Sequence, residues 1–475
     1  MIEKCKKAIN EKNIVFLAAV VGSLHLFASV FQYFFTFHKY IFDFAEQLVL
    51  DVLGILVALF LVSAVRSKEC KQIKSYFSKE QILLGAVFGA LFLSCLLNQL
   101  WNGAQLITNN SKYLFDTFVC VFILFPLGRR FAVCRKQSQS LKLLLNCLLF
   151  FLAAVMTFIL INVFQGRVLH TVLNGGIGML IFNETLQLSI NCHPNTVGAY
   201  SGLLFLICIS LAVNSGGFRR GLYIAESLVH FVVLALSNSR GAFFSMLCIA
   251  ALMAGLIAYY SVRGKAKWGK WLAAILSGIM IFAILFFMRN AVFTLYARIS
   301  PPKTTVVNDS GKTVQQDEVI RKLNVTSVNG RQRIWECTIR LIIDNPRNAL
   351  VGVTPYRIAG ILGSMLQWEI DVYTHNQILE VGADTGIPAM LIFLAFLLLL
   401  AGKSLKLGLA PAVAKEWKQK LPLLILLFLI IANAMEATLL FYGYLSGGVF
   451  MLLCGWICER YIGFRIPKKR FSGED

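Results

Sequence analysis

Residues 375–401 read HNQILEVGADTGIPAMLIFLAFLLLLA, and the fifteen from Ile387 to Ala401 carry no charge. A hydrocarbon layer about 30 Å thick takes about 20 apolar residues per helical crossing. In lipid, each crossing must also satisfy its own backbone hydrogen bonds. The stretch therefore predicts a transmembrane helix over 376–401 with a polar start that holds His375, Asn376, Glu380 and Asp384.

Outward from this segment, apolar runs of similar length recur at 14–36, 44–65, 81–100, 113–128, 141–163, 194–214, 222–237, 241–261, 271–288, 421–439 and 443–459. The run from Ile14 reads as an uncleaved first helix, since no small-residue cleavage site follows it. Of the 475 residues, 57% are hydrophobic and 15% charged, with a mean hydropathy of +0.70. A soluble domain has no use for so much apolar surface, so lipid must solvate it. The expected fold is an all-α integral membrane protein of about twelve transmembrane helices, with one large extracytoplasmic loop between the ninth and tenth. Residues 1–288 would hold nine crossings, 289–374 the loop domain with an amphipathic helix over 331–345, 375–460 three more crossings, and 461–475 a cytoplasmic tail.

The net charge of +21 points to orientation rather than to nucleic acid. The basic residues are spread through short connections with no aromatic-interleaved patch. About thirty of them fall in alternate connections, which the positive-inside rule assigns to the cytoplasm, with both termini. The opposite short connections hold about four, Lys39, Lys112, Arg167 and Arg240. The long 289–374 segment crosses despite its own charge, as long loops do. The twelve cysteines are mostly single residues inside apolar runs with no C-x-x-C, so they suggest neither a disulfide framework nor a zinc site.

Within the long segment, 300–330 is polar and aperiodic and reads as loop. From Gly330 to Pro346 the spacing sets Ile334, Trp335, Thr338, Leu341 and Ile342 on one helical face, with Arg333, Glu336, Arg340 and Asp344 on another. Pro346 is expected to end this helix and 347–374 to be loop. Arg331 and Arg333 have a plain alternative use on a solvated face, where Arg333 would pair with Glu336 and Glu336 with Arg340.

The run His375, Asn376, Leu379, Asp384 and Gly386 resembles the helix-opening motif of the O-antigen ligase and O-antigen polymerase family. Upstream, in the family's order, stand His193-Pro194-Asn195, Ser239-Arg240-Gly241-Ala242, Gly330-Arg331 four residues before Trp335, and Asn345-Pro346 followed by Gly352. Two departures are visible: Arg333 competes with Arg331 for the loop-arginine role, and Gly352-Val353 replaces the Gly-x-Gly often seen in the family after the Asn-Pro. The resemblance covers about 190–390. It implies a membrane glycosyltransferase that takes glycan from a polyprenyl-diphosphate-linked oligosaccharide donor to a glycan or lipid-glycan acceptor, in the bacterial cytoplasmic (inner) membrane; no metal or cofactor is expected, since the external acids Asp309, Asp317, Glu318, Glu369 and Asp371 show no ligand spacing beyond a loose Glu-x-Asp.

The chemistry asks for certain residue types. A sugar–phosphate bond breaks, so cations must stabilise the departing diphosphate and a base must take the acceptor proton. Arg240 is the only cation in 222–261 and is expected at the tip of a tight hairpin. Taken alone it would read as a snorkelling interfacial arginine. With the motif it becomes a diphosphate ligand, beside Arg331 and Arg333. His375, at the start of a helix capped by Thr374, is the candidate base, because the positive helix end favours the neutral imidazole. Asn376, Asn195 and Asp384 are expected to support the site. Among acids in apolar segments, Asp116 and Glu436 lie near outer helix ends where an acceptor groove could use them, and helix-to-helix hydrogen bonding is their plainer use. The alternatives to an enzyme are a secondary transporter of an envelope precursor and a non-catalytic scaffold of an envelope-synthesis complex. Against the transporter, the halves of the chain show no repeat and the candidate chemistry lies at one interface.

Overall fold

The computed structural model describes residues 78–103, 105–133, 194–213, 215–262, 266–299, 329–368, 372–409, 417–437, 439–441 and 445–465, with short pieces at 153–154, 156–157, 160–161, 306–307 and 313–314. The expected crossings at 14–36 and 44–65, most of 141–163, most of the 300–328 loop and the tail beyond 465 lie outside the described residues.

The described part is almost wholly helical. It opens with α1 (Lys79–Asn102), α2 (Leu106–Asn109) and α3 (Ser111–Phe118). A π-helical stretch, Val119–Leu124, leads into α4 (Phe125–Val133). Next come α5 (Pro194–Val213), α6 (Gly217–Leu236), α7 (Arg240–Ser261) and α8 (Lys267–Ile299). A two-residue antiparallel ladder pairs Val306–Val307 with Thr313–Val314. Then follow α9 (Asn329–Ile343), α10 (Pro346–Val351), α11 (Pro355–Leu366), α12 (Gln377–Thr385), α13 (Ile387–Leu409), α14 (Trp417–Asn433) and α15 (Leu445–Arg465).

Among the described residues six helices are long and apolar enough to cross a membrane: Lys79–Asn102, Ser111–Arg129, Asn195–Val213, Arg240–Ser261, Lys267–Tyr296 and Ile387–Ser404. The expected crossings 222–237, 421–439 and 443–459 correspond to α6, α14 and α15. Of these, α6 carries Arg219, Arg220 and Glu226 within its twenty residues, and the apolar part of α14 is only Leu423–Asn433.

The helices pack closely where glycine allows it. A Cβ at Gly128 would lie 2.0 Å from the Leu452 carbonyl oxygen, and one at Gly455 2.0 Å from that of Phe125, so α4 and α15 touch along their backbones. One end of the bundle is tied by Arg129 to Glu459 at 2.7 Å and by Lys403 to Glu80. His375 lies at the other end.

Four expectations differ from what is observed. The ninth crossing does not stop at 288: α8 runs to Ile299, because a polar pair such as Arg289-Asn290 does not end a helix and the first prolines after Lys267 are Pro301 and Pro302. The amphipathic helix spans Asn329–Ile343 and ends before Pro346, which instead opens α10 with Asn345 as its cap, Oδ1 accepting from Arg347 N at 3.0 Å. The segment 347–374 is largely helical, in α10 and α11. The crossing read as 376–401 is two helices, broken at Gly386 with φ +89°. The faces of α9 otherwise follow the pattern: Ile334, Thr338 and Ile342 are buried, while Arg333, Glu336 and Arg340, with Asp344 just past the helix end, are exposed.

Candidate active site

The site is built on the three residues that precede α12. Asn376, not Thr374, caps that helix: its Oδ1 accepts from the backbone N–H groups of Ile378 at 3.0 Å and Leu379 at 3.1 Å. Thr374 has a different task. Its hydroxyl and its N–H both donate to the fully buried Glu380 carboxylate, and its carbonyl accepts from the Trp335 indole N–H at 2.9 Å. With both neighbours fixed in this way, His375 is held at φ +51°, a region costly for most L-residues.

The chain after α14 is fastened to the same place. Asn376 Nδ2 donates to the Ala434 carbonyl at 3.1 Å. Gln377 Oε1 accepts from Leu439 N at 2.7 Å and Leu440 N at 3.3 Å. Between those two anchors stands Glu436, on irregular backbone beyond the end of α14 rather than inside the expected 421–439 crossing. Its side chain is 8% exposed. One carboxylate oxygen accepts from Arg331 Nη2 at 2.7 Å and the other lies 3.0 Å from His375 Nδ1. A single carboxylate therefore joins α9, the turn before α12 and the segment after α14.

The start of α7, which carries Arg240, adjoins this cluster from a fourth element. Arg240 is the exposed first residue of α7, after the tight Ser237-Asn238-Ser239 turn, as its expected place at a hairpin tip requires. The next residue must be small: a Cβ on Gly241 would lie 3.0 Å from Met435 Cβ and 3.6 Å from Arg331 Nη1. The start of α7 thus abuts both the Arg331 guanidinium and the chain beside Glu436.

The other candidates divide. Arg333 is exposed and away from the cluster, because two residues along an α-helix turn the side chain by about 200° from Arg331. The expected Arg333–Glu336 and Glu336–Arg340 pairing is replaced by Gln332 Nε2 donating to Glu336 Oε1 at 3.0 Å. Asn195 is half-buried on the first turn of α5, three residues before Gly198, whose face meets Ser237 and Ser239 of the Arg240 turn. Asp384 is nine residues beyond His375, about 13 Å along α12, and is fully buried. Burial, with Glu380 close by, pushes its carboxyl well above the usual range. Its carbonyl accepts from Ser94 Oγ at 2.9 Å and Thr354 N at 3.1 Å, so it belongs to the packing under the site.

Sequence reading left Glu436 among several membrane acids, knew Trp335 only as part of a helix face and a motif, and missed Gln377 and Arg289. Arg289 was legible as a cation inside an apolar run. Gln377 offered no signal beyond adjacency to the motif.

Chemically, the cluster pairs an imidazole with a carboxylate and sets guanidinium groups beside them. If Glu436 accepts the Nδ1 proton, the favoured tautomer leaves Nε2 as the proton acceptor. Arg331 has five N–H donors and uses one on Glu436 here, so its fork can also address a phosphate. Residues 225–394, from within α6 into α13, match the family model described as O-Antigen ligase. Arg240, Arg331 and His375 fall inside that match, and Asn195 and Glu436 outside it. No curated protein matches the chain. Over residues 225–394 the chain is therefore similar to the O-antigen ligase family, as the motif resemblance led one to expect.

Proposed function

We propose that the protein transfers or polymerises glycan from a polyprenyl-diphosphate-linked oligosaccharide onto an acceptor hydroxyl at the extracytoplasmic face of a bacterial cytoplasmic membrane. The observation that carries this reading is the Glu436 carboxylate held between Arg331 and His375 beside the Arg240 helix start. Guanidinium groups are suited to a diphosphate, and a carboxylate-oriented imidazole is suited to a hydroxyl proton.

In the proposed reaction the acceptor oxygen attacks the anomeric carbon of the donor's first sugar. The bond from that carbon to the phosphate oxygen breaks, and its electron pair leaves with the diphosphate, whose growing charge Arg240 and Arg331 meet. The acceptor proton passes to His375 Nε2. The resulting imidazolium faces Glu436, which holds the ring in orientation and balances its charge. Asn376 and Gln377 serve this chemistry indirectly, by fixing the backbone on either side of Glu436.

The test is turnover by the purified chain in nanodiscs supplied with a lipid-linked oligosaccharide and an acceptor glycan. Release of polyprenyl diphosphate with matching growth of the acceptor is the expected result. Movement of intact donor across proteoliposomes without bond cleavage would overturn the enzyme reading in favour of a transporter.

A further inference from the structure

Arg289 is buried to 1% exposure, on a helix that begins at Lys267. Twenty-two residues of rise place it about 33 Å from that start, at the far boundary of a hydrocarbon layer about 30 Å thick. An arginine at that depth could snorkel to water, but this one is buried in protein, where a cation is costly without partners. Its Nη2 donates to Asn238 Oδ1 at 2.7 Å, and its guanidinium lies over the Phe243 ring, 5.0 Å from the centroid. Those two residues bracket Arg240 in the chain, so the Arg289 guanidinium lies against the turn that presents it. Asn238 itself sits at φ +51°, so the turn that presents Arg240 has an unusual backbone whose side chain Arg289 grips.

We propose that Arg289 is a positioning residue of the donor site: it holds the Asn238 turn so that Arg240 is presented to the diphosphate, and it adds a second positive charge behind that arginine. Two guanidiniums brought close together repel one another, and a dianionic group bound in front of Arg240 relieves that repulsion. The inference rests on the reading of Arg240 as a diphosphate ligand.

The experiment compares Arg289→Gln, Arg289→Lys, Asn238→Gly and Arg240→Gln in the full-length chain in nanodiscs. Donor KM, kcat, inhibition by inorganic pyrophosphate and thermal unfolding are measured for each. Arg289→Gln keeps a donor for Asn238 but loses the charge, so donor KM and the pyrophosphate inhibition constant should each rise about tenfold, with kcat changed less. Arg289→Lys should restore most of the pyrophosphate sensitivity. Asn238→Gly accepts the positive φ and lacks only the acceptor, so it should raise donor KM at an unchanged unfolding temperature. Parental constants in Arg289→Gln and Asn238→Gly, with Arg240→Gln impaired, would overturn the role of Arg289 alone; parental constants in Arg240→Gln would instead remove the reading beneath it. Should Arg289→Gln fail to fold, parental constants in both Arg289→Lys and Asn238→Gly would overturn the proposal. Equal losses in Arg289→Gln and Arg289→Lys, with lowered unfolding temperatures, would mark a purely structural residue and overturn it too.

Discussion

At the residue scale, the Glu436 carboxylate is the joint on which the proposed chemistry turns, since it contacts Arg331 with one oxygen and His375 with the other. Removing the imidazole should cost the rate of a lost general base, about 10²–10⁴-fold, while donor binding survives on the arginines. Glu436→Gln keeps the shape and removes the charge, so it should also slow turnover. The double variant His375→Ala/Glu436→Gln should be no slower than His375→Ala, because the two act as one unit. Additive losses in single-turnover assays would mean that Glu436 serves some other step. The arginines separate in the same way: Arg240→Lys and Arg331→Lys lose the planar fork and should lose most activity, whereas Arg333→Lys, on the exposed face of α9, should turn over near the parent rate. The place of His375 was legible because it is local, a histidine at a helix start, whereas the cap was not: the sequence pointed to Thr374 and Asn376 performs that task. Glu436 was not assigned, because only the backbone fastening by Asn376 and Gln377, sixty residues away in the chain, brings it there.

At the element scale, the site depends on a helix that stops early. A continuous crossing over 376–401 was the natural reading of the apolar run, but α12 ends at Gly386 so that the chain can pass under α10: a Cβ there would lie 2.3 Å from the Leu350 carbonyl oxygen. Gly352, at φ +69°, packs the other way, with a Cβ 2.3 Å from the Asp384 carbonyl carbon. Val353 N and Thr354 N donate to Ala383 O and Asp384 O at 2.8 and 3.1 Å, while Asn98 Nδ2 donates to Gly352 O at 3.1 Å. Either glycine replaced by alanine should lower the unfolding temperature sharply, since positive φ and backbone collision act together. Thr354 occupies φ +76°, where the family resemblance leads one to expect glycine. Its hydroxyl accepts only a long bond from Asn110 Nδ2, at 3.3 Å. Thr354→Gly should therefore hold or raise the unfolding temperature in detergent, and a clear fall would show that the Asn110 bond outweighs the strain. Pro346 illustrates how sequence misleads at this scale: proline stops a helix from within and also suits the first turn of the next one.

At the scale of the whole molecule, the bundle has two polar ends of different character. Arg129, Lys403 and Arg460 gather at one, in ion pairs with Glu459 and Glu80 and over the Tyr461 and Trp456 rings. His375, Glu436, Arg331 and Arg240 stand at the other, since α13 leads from beside α12 to Lys403 over a rise of about 24 Å. The Lys and Arg alternation in the sequence leads us to propose that the first end faces the cytoplasm, where Arg129, Lys403 and Arg460 are grouped. The membrane class was legible because it rests on composition counted over long stretches, where errors of a few residues in any one helix do not matter. Helix ends were less legible, because α8 and α12 are bounded by proline placement and tertiary contact rather than by polarity. The polarity can be checked directly with a membrane-impermeant maleimide on intact cells, in a background without the twelve natural cysteines. A cysteine at Glu336, exposed on α9, and another within 305–325 should label from outside, whereas one at Lys406, exposed near the end of α13, should label only after permeabilisation. Labelling in the reverse order would put the His375 end in the cytoplasm and remove the extracytoplasmic transfer reaction with it.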